Sequence, residues 1–132
     1  MAYSKIICGV DGSDTSMLAL AEASKLAASE GAELTVLYAL REDMEHAATA
    51  ATGDEVLERA QKAAREEGVE PNARLEQGDP SEVLIDVAEK VGADLLVVGN
   101  KGMTGVQRFL LGSVPNKVSH HAPCDLLIVK TT

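Results

Sequence analysis

Asp94-Leu95-Leu96-Val97-Val98-Gly99-Asn100-Lys101-Gly102-Met103-Thr104-Gly105-Val106-Gln107-Arg108-Phe109-Leu110-Leu111-Gly112-Ser113 is the stretch that decides the fold. From Asp94 to Gly99 the run is almost unbroken in Leu and Val, the composition of a strand buried on both faces. Four glycines then fall within the 15 residues from Gly99 to Ser113, out of 11 in the whole chain. Glycine lets backbone N–H groups approach an oxyanion with no Cβ in the way, and Ser113 opens a helix whose N-terminus favours negative charge. Open parallel sheets collect ligands at the carboxyl ends of their strands, which is where such a loop would lie.

Working outward, Lys5 to Val10, Leu34 to Leu40 and Leu126 to Lys130 are also nearly continuous in Val, Ile and Leu, while Asn72 to Gln77 alternates as an edge strand does. Helical patterns separate these runs. Ala19, Leu20, Ala23, Leu26 and Ala27 form one stripe opposite Glu22, Lys25 and Ser29, and Gly31 follows where a C-cap wants it. Val56, Leu57, Ala60, Ala63 and Ala64 point a second helix inward, closing at Gly68. In the third, Asp79 caps, Pro80 suits the first helical position, Glu82 completes a capping-box spacing and Gly92 ends it. A shorter fourth helix runs from Ser113 and stops before Pro123; the Ala-rich connection from Glu42 to Gly53 is left unassigned. Alternation of β and α at this spacing implies right-handed crossovers and an α/β fold, a parallel sheet covered on both faces. At 132 residues the expectation is one domain, 1–132.

Composition excludes several function classes. The net charge of −9 repels phosphate backbones and anionic membrane surfaces, and three aromatics, Tyr3, Tyr38 and Phe109, cannot make a base-stacking platform. Neither nucleic acid nor membrane is expected as a partner. No apolar run approaches the roughly 18 residues of a span. Cys8 and Cys124 sit inside apolar runs with no signal-peptide pattern before them, so a reduced, cytoplasmic setting is expected. Yet charge is uneven: residues 1–40, 41–90 and 91–132 carry −3, −8 and +2.

That local positive excess comes from Lys101, Arg108 and Lys117, around the glycine-rich loop. Across the sheet, the first strand is followed by Asp11, Gly12, Ser13 and Asp14, where Asp11 suits hydrogen bonds from ribose hydroxyls. A ligand that wants both phosphate donors and a ribose acceptor is a nucleotide. The Walker spacing is absent, since no Gly-Lys-Ser/Thr closes the loop, and a single Gly after the first strand disfavours a dinucleotide fingerprint.

Gly99, two residues, Gly102, nine residues, then Gly112 and Ser113 resembles the ATP-binding signature of the universal stress protein family. Ile6 to Ser13 resembles that family's opening strand and turn, and His121, Ala122, Pro123 and Cys124 the lead into its last strand. The resemblance implies a Rossmann-like, five-stranded parallel sheet of order 3-2-1-4-5, with ATP (ADP and AMP left open) between strands one and four and Mg²⁺ accompanying the triphosphate. It implies Asp11 at the ribose, Ser13 near the phosphates, and Ala39 offering main-chain groups to adenine. Gly99 and Gly102 would border ribose and α-phosphate, and Gly112, Ser113 and Val114 would hold the outer phosphates. A homodimer through the last strand is also implied, with Asp125 standing where the family often has an uncharged residue.

Simpler roles compete with these. Asp11 also suits a helix entrance, Ser113 serves capping and anion binding with one oxygen, and Phe109, Leu110 and Leu111 suit a loop anchor. His120 and His121 point about 100° apart on a helix and cannot share a metal. In the implied order a strand separates the two cysteines by roughly 9 to 10 Å, too far for a disulfide. The expected function is a nucleotide-responsive regulatory protein of the stress response. Its rival is a slow ATPase or phosphoryl-transferring enzyme, for which no side chain is identifiable as a base on an attacking water; flavin chemistry lacks its aromatic partners.

Overall fold

A computed structural model describes residues 3–41, 52–100 and 113–131. Each apolar run is a strand and each amphipathic stretch a helix: β1 (Lys5–Val10), α1 (Asp14–Glu30), β2 (Glu33–Leu40), α2 (Gly53–Glu66), β3 (Asn72–Gln77), α3 (Pro80–Val91), β4 (Leu95–Gly99), α4 (Ser113–His121) and β5 (Asp125–Val129). The strands form one all-parallel sheet in the order β3-β2-β1-β4-β5, as expected. The last strand starts one residue earlier than its apolar run, at Asp125, because Asp125 pairs in register with Leu95. Residues 42–51, within the unassigned connection, lie outside the described residues.

Alternation along the strands divides the core between two faces. Ile6, Cys8, Val36 and Val97 pack with Leu20, Ala23 and Ala27 of α1 and Val56 and Ala60 of α2. Ile7, Leu37, Leu96 and Val98 pack on the other face with Val83, Leu84, Val87 and Ala88 of α3 and Val118 of α4. Leu26 and Ala63, expected in the inward stripes, are only half-buried at their margins. The caps follow the sequence: Asp79 accepts from the Glu82 N–H, Pro80 opens α3, and Gly31 and Gly92 end α1 and α3 at φ of 67° and 70°. Cys8 and Cys124 are free thiols, and burial pushes Cys8 up to about 12. Among the described residues no helix is long and apolar enough to cross a membrane.

The two central strands are fastened at their N-terminal ends by Asp94. Its carboxylate accepts from the Ser4 N–H at 2.8 Å and the Lys5 N–H at 2.9 Å, and its own N–H donates to the Lys5 carbonyl at 3.0 Å. The Ser4 N–H and then the Lys5 N–H hold the Asp94 carboxyl below the usual carboxylate range, against a small desolvation effect. A depressed folded-state pKa contributes stability that is complete above about pH 4 and is lost as pH falls through the folded value. Asp94→Ala is therefore expected to cost about 1 kcal/mol at pH 7, a modest figure because solvent screens the site. Urea denaturation of both proteins at pH 7 and near pH 2.5 checks it: the gap should narrow in acid, and a gap that stays constant refutes the clamp.

Candidate functional site

The carboxyl ends of the central strands separate. Register pairs between β1 and β2 continue to Val10↔Tyr38, and those between β4 and β5 to Gly99↔Val129. Pairs between β1 and β4 stop at Cys8↔Val97. Gly9 and Val10 on one side, and Val98 and Gly99 on the other, thus lie past their shared ladder. The chain leaves β1 for α1 on one face and reaches β4 from α3 on the other, so this is the reversal point at which open parallel sheets place ligands.

Asp11 stands at the end of β1 in a tightly bonded turn. Both the N–H of Ser13, at 2.9 Å, and its hydroxyl donate to Asp11 Oδ1. Ser13 also caps α1, its Oγ accepting from the Ser16 N–H at 3.1 Å. Buried Ser16 closes the turn: its hydroxyl donates to the Ser13 carbonyl at 2.9 Å and accepts from the Asp11 N–H at 3.3 Å. Gly12 takes φ of 85°, in the left-handed region, where a Cβ would also stand 3.2 Å from Val56. From α2, Arg59 donates to the Gly12 carbonyl and to Asp14, each at 3.3 Å. Ser13 is thus engaged with Asp11 and with its own helix. Ser16 was missed in the sequence, although serines at the cap and three residues on are the legible signal.

The other predicted residues sort clearly. Ala39 is half-buried, pairs with Glu76 of β3 and lies one residue past the last β1–β2 pair. Gly99 is the buried last residue of β4. Ser113 is exposed at the first position of α4, and Val114 is packed against the core beneath it. Gly102 and Gly112, with Lys101 and Arg108, lie outside the described residues. Asn100, a variable position in the resemblance, has a definite job: its N–H donates to the Val129 carbonyl at 3.0 Å, and its Oδ1 accepts from the Thr131 N–H and hydroxyl at 2.8 and 2.9 Å.

Lys117 does not stand alone. Its Nζ lies 4.0 Å from Asp79 Oδ2, and Arg41 Nη2 lies 3.4 Å from Asp79 Oδ1. The Ser81 hydroxyl above all, then the Glu82 N–H and the two cations, hold the Asp79 carboxyl below its usual range, outweighing the opposing effect of partial burial. A separate cavity of about 200 Å³, lined in part by Lys5, Glu33, Thr35, Asn72 and Arg74, lies by the strand starts and includes none of the predicted site residues. Among the described residues no three His, Cys, Asp or Glu side chains could share a metal.

A family model described as the universal stress protein family matches residues 2–130. A universal stress protein of Mycobacterium tuberculosis strain H37Rv is 37% identical over 145 residues, covering 99% of each chain. A solved universal stress protein in complex with cAMP superposes with a TM-score of 0.81 at 35% identity over 100% of both chains. The universal stress protein of Archaeoglobus fulgidus in complex with dAMP superposes with a TM-score of 0.76 at 26% identity, covering 98% of this chain and 100% of that one.

Because the Ser13 hydroxyl both caps α1 and fixes Asp11, Ser13→Ala is expected to lower stability by about 1 kcal/mol, the usual loss of a helix cap. Ser13→Asn, which keeps a capping oxygen, should recover most of it. Chemical denaturation of the three proteins measures the difference, and equal stabilities would contradict the capping role.

Proposed function

The chain belongs to the universal stress protein family, and we propose that it is an adenine-nucleotide-binding regulatory protein of the stress response, with ATP as its ligand. The observation that carries this is the early end of the β1–β4 ladder, with Asp11 on one side and Gly99 on the other. In this proposal Asp11 accepts from the ribose hydroxyls and Ala39 offers main-chain groups to adenine. Gly99 and Gly102 border the ribose and α-phosphate. Gly112, Ser113 and Val114 hold the outer phosphates at the start of α4, where the helix dipole favours anions. Mg²⁺ would travel with the triphosphate, since Asp11 Oδ1 and Ser13 Oγ are engaged with each other and a hard cation is served by phosphate oxygens and water.

A second reading is favoured by the cAMP complex of a relative 35% identical to this chain: a cyclic monophosphate uses the same ribose and phosphate sides. Denaturing the purified protein and identifying the released nucleotide by chromatography separates the two, with calorimetric titration of ATP, AMP and cAMP as the quantitative measure. A protein that carries no nucleotide and binds none of the three overturns the whole proposal. The enzyme alternative, slow ATP hydrolysis or phosphoryl transfer, is tested by phosphate release from the loaded protein.

Asp11→Ala is expected to weaken binding by about 1 to 3 kcal/mol, the usual loss for a hydrogen bond to a charged group. The same loss should appear with AMP, which keeps the ribose. Should ATP affinity fall while AMP affinity holds, Asp11 belongs to the phosphate end instead.

We further propose a homodimer through β5. That strand is an edge of the sheet and exposes 38% of Leu127, and an apolar edge is an aggregation hazard unless paired. Antiparallel pairing with a second copy makes an isologous C₂ contact. At the head of the strand Asp125 accepts from the Tyr3 hydroxyl at 2.8 Å, which holds its carboxylate within its own protomer. Ile128→Pro removes an edge N–H and should convert the dimer to monomer or destabilise β5; light scattering that finds the wild type monomeric at every concentration refutes the assembly.

A further inference from the structure

Lys117 follows Ser113 by four residues on α4, so the two share a helical face. Helical side chains lean toward the N-terminus of their helix. The Lys117 ammonium does so, reaching Asp79, the N-cap of α3. Both helix starts lie at the carboxyl edge of the sheet, the edge at which β1 and β4 part. Asp79 is a shared anchor, since it also accepts from the Ser81 hydroxyl, the Glu82 N–H and Arg41. Two cations meet one carboxylate there. The Lys117 contact, at 4.0 Å with 55% of its side chain exposed, is the looser of the two, and such pairs are weak.

Resting on the adenine-nucleotide reading above, we propose that Lys117 is the residue by which this site distinguishes a triphosphate from a monophosphate. With AMP bound, Lys117 stays on Asp79. With ATP bound, it turns to the β- or γ-phosphate, which offers more negative charge and more acceptor oxygens than one carboxylate. Asp79 keeps Arg41 and its capping bonds throughout, so the exchange leaves α3 capped. Asp79 is then the competing anion that sets how strongly the third phosphate is rewarded.

Calorimetric titration of ATP and of AMP into the wild type, Lys117→Gln, Lys117→Arg and Asp79→Asn tests this, with thermal melts to confirm folding. Lys117→Gln should weaken ATP by about tenfold, the worth of one charge-assisted contact, and AMP by less than about twofold. Lys117→Arg should restore the wild-type ratio. Asp79→Asn, which still caps a helix, should tighten ATP severalfold without moving AMP. Equal losses for both nucleotides in Lys117→Gln, or no loss for either, overturn the assignment, and an unchanged ATP to AMP ratio in Asp79→Asn overturns the exchange. A wild type that binds neither nucleotide sinks the adenine-nucleotide reading itself, and the inference with it.

Discussion

The pairing of β1 with β4 is the constraint on which the rest depends. These strands sit at the centre of the sheet, and their connections lie on opposite faces, α1 and α2 on one and α3 and α4 on the other. At their starts they are drawn together by Asp94, which bonds the main chain of Ser4 and Lys5. At their ends they part after Cys8↔Val97. Each freed end is then fastened outward. Beyond β1, the Asp11 turn is tied to α1 through Ser16 and to α2 through Arg59. Beyond β4, Asn100 is tied to Val129 and Thr131 at the end of β5. The opening is therefore built into the hydrogen bonding on both sides of it.

Small side chains make this geometry affordable in a chain with few aromatics. Ala19, Ala23, Ala27, Ala60 and Ala64 are almost fully buried on the helix faces that meet the sheet, which lets those helices lie close to strands filled by Ile, Leu and Val. Close helices bring their N-termini close to the strand ends. That is why a side chain on α2, Arg59, reaches a carbonyl in the turn after β1, and why Gly12 has Val56 against it.

Much of this was legible in the sequence because it depends on local chemistry. Runs such as Ile6 to Cys8 and Leu95 to Val98 announce buried strands; Asp79, Pro80 and Gly92 announce the limits of α3; and Asp11 after an apolar run announces an acidic side chain at a strand end. The strand order was read from resemblance, since periodicity alone does not rank neighbours. The partners that escaped are those joined across the chain: Asn100 with Thr131, Arg59 with Gly12, and Lys117 with Asp79, pairs that no spacing rule brings together. Ser16 escaped for another reason. A serine inside a helix has many uses, and only the path of the turn shows that this one bonds the Asp11 N–H. Gly102 and Gly112 carry the most specific part of the motif and rest on sequence alone.

The helix starts bear on how an acidic chain with a net charge of −9 would accommodate the anion proposed for it. Among the described residues four helix N-termini lie at the carboxyl edge of the sheet, each with orphan N–H donors and a positive dipole end. Three satisfy a donor with their own side chains: Ser13 for α1, Thr52 for α2 and Asp79 for α3. Ahead of α4 stands Gly112, which has no side chain with which to do the same. This is also the part of the chain where charge turns positive, at +2 over residues 91–132. The overall charge governs what approaches from a distance, across a screening length of about 10 Å, whereas a bound phosphate responds to donors within contact. The acidic segment 41–90 and the anion proposed at α4 are compatible because they act at different ranges.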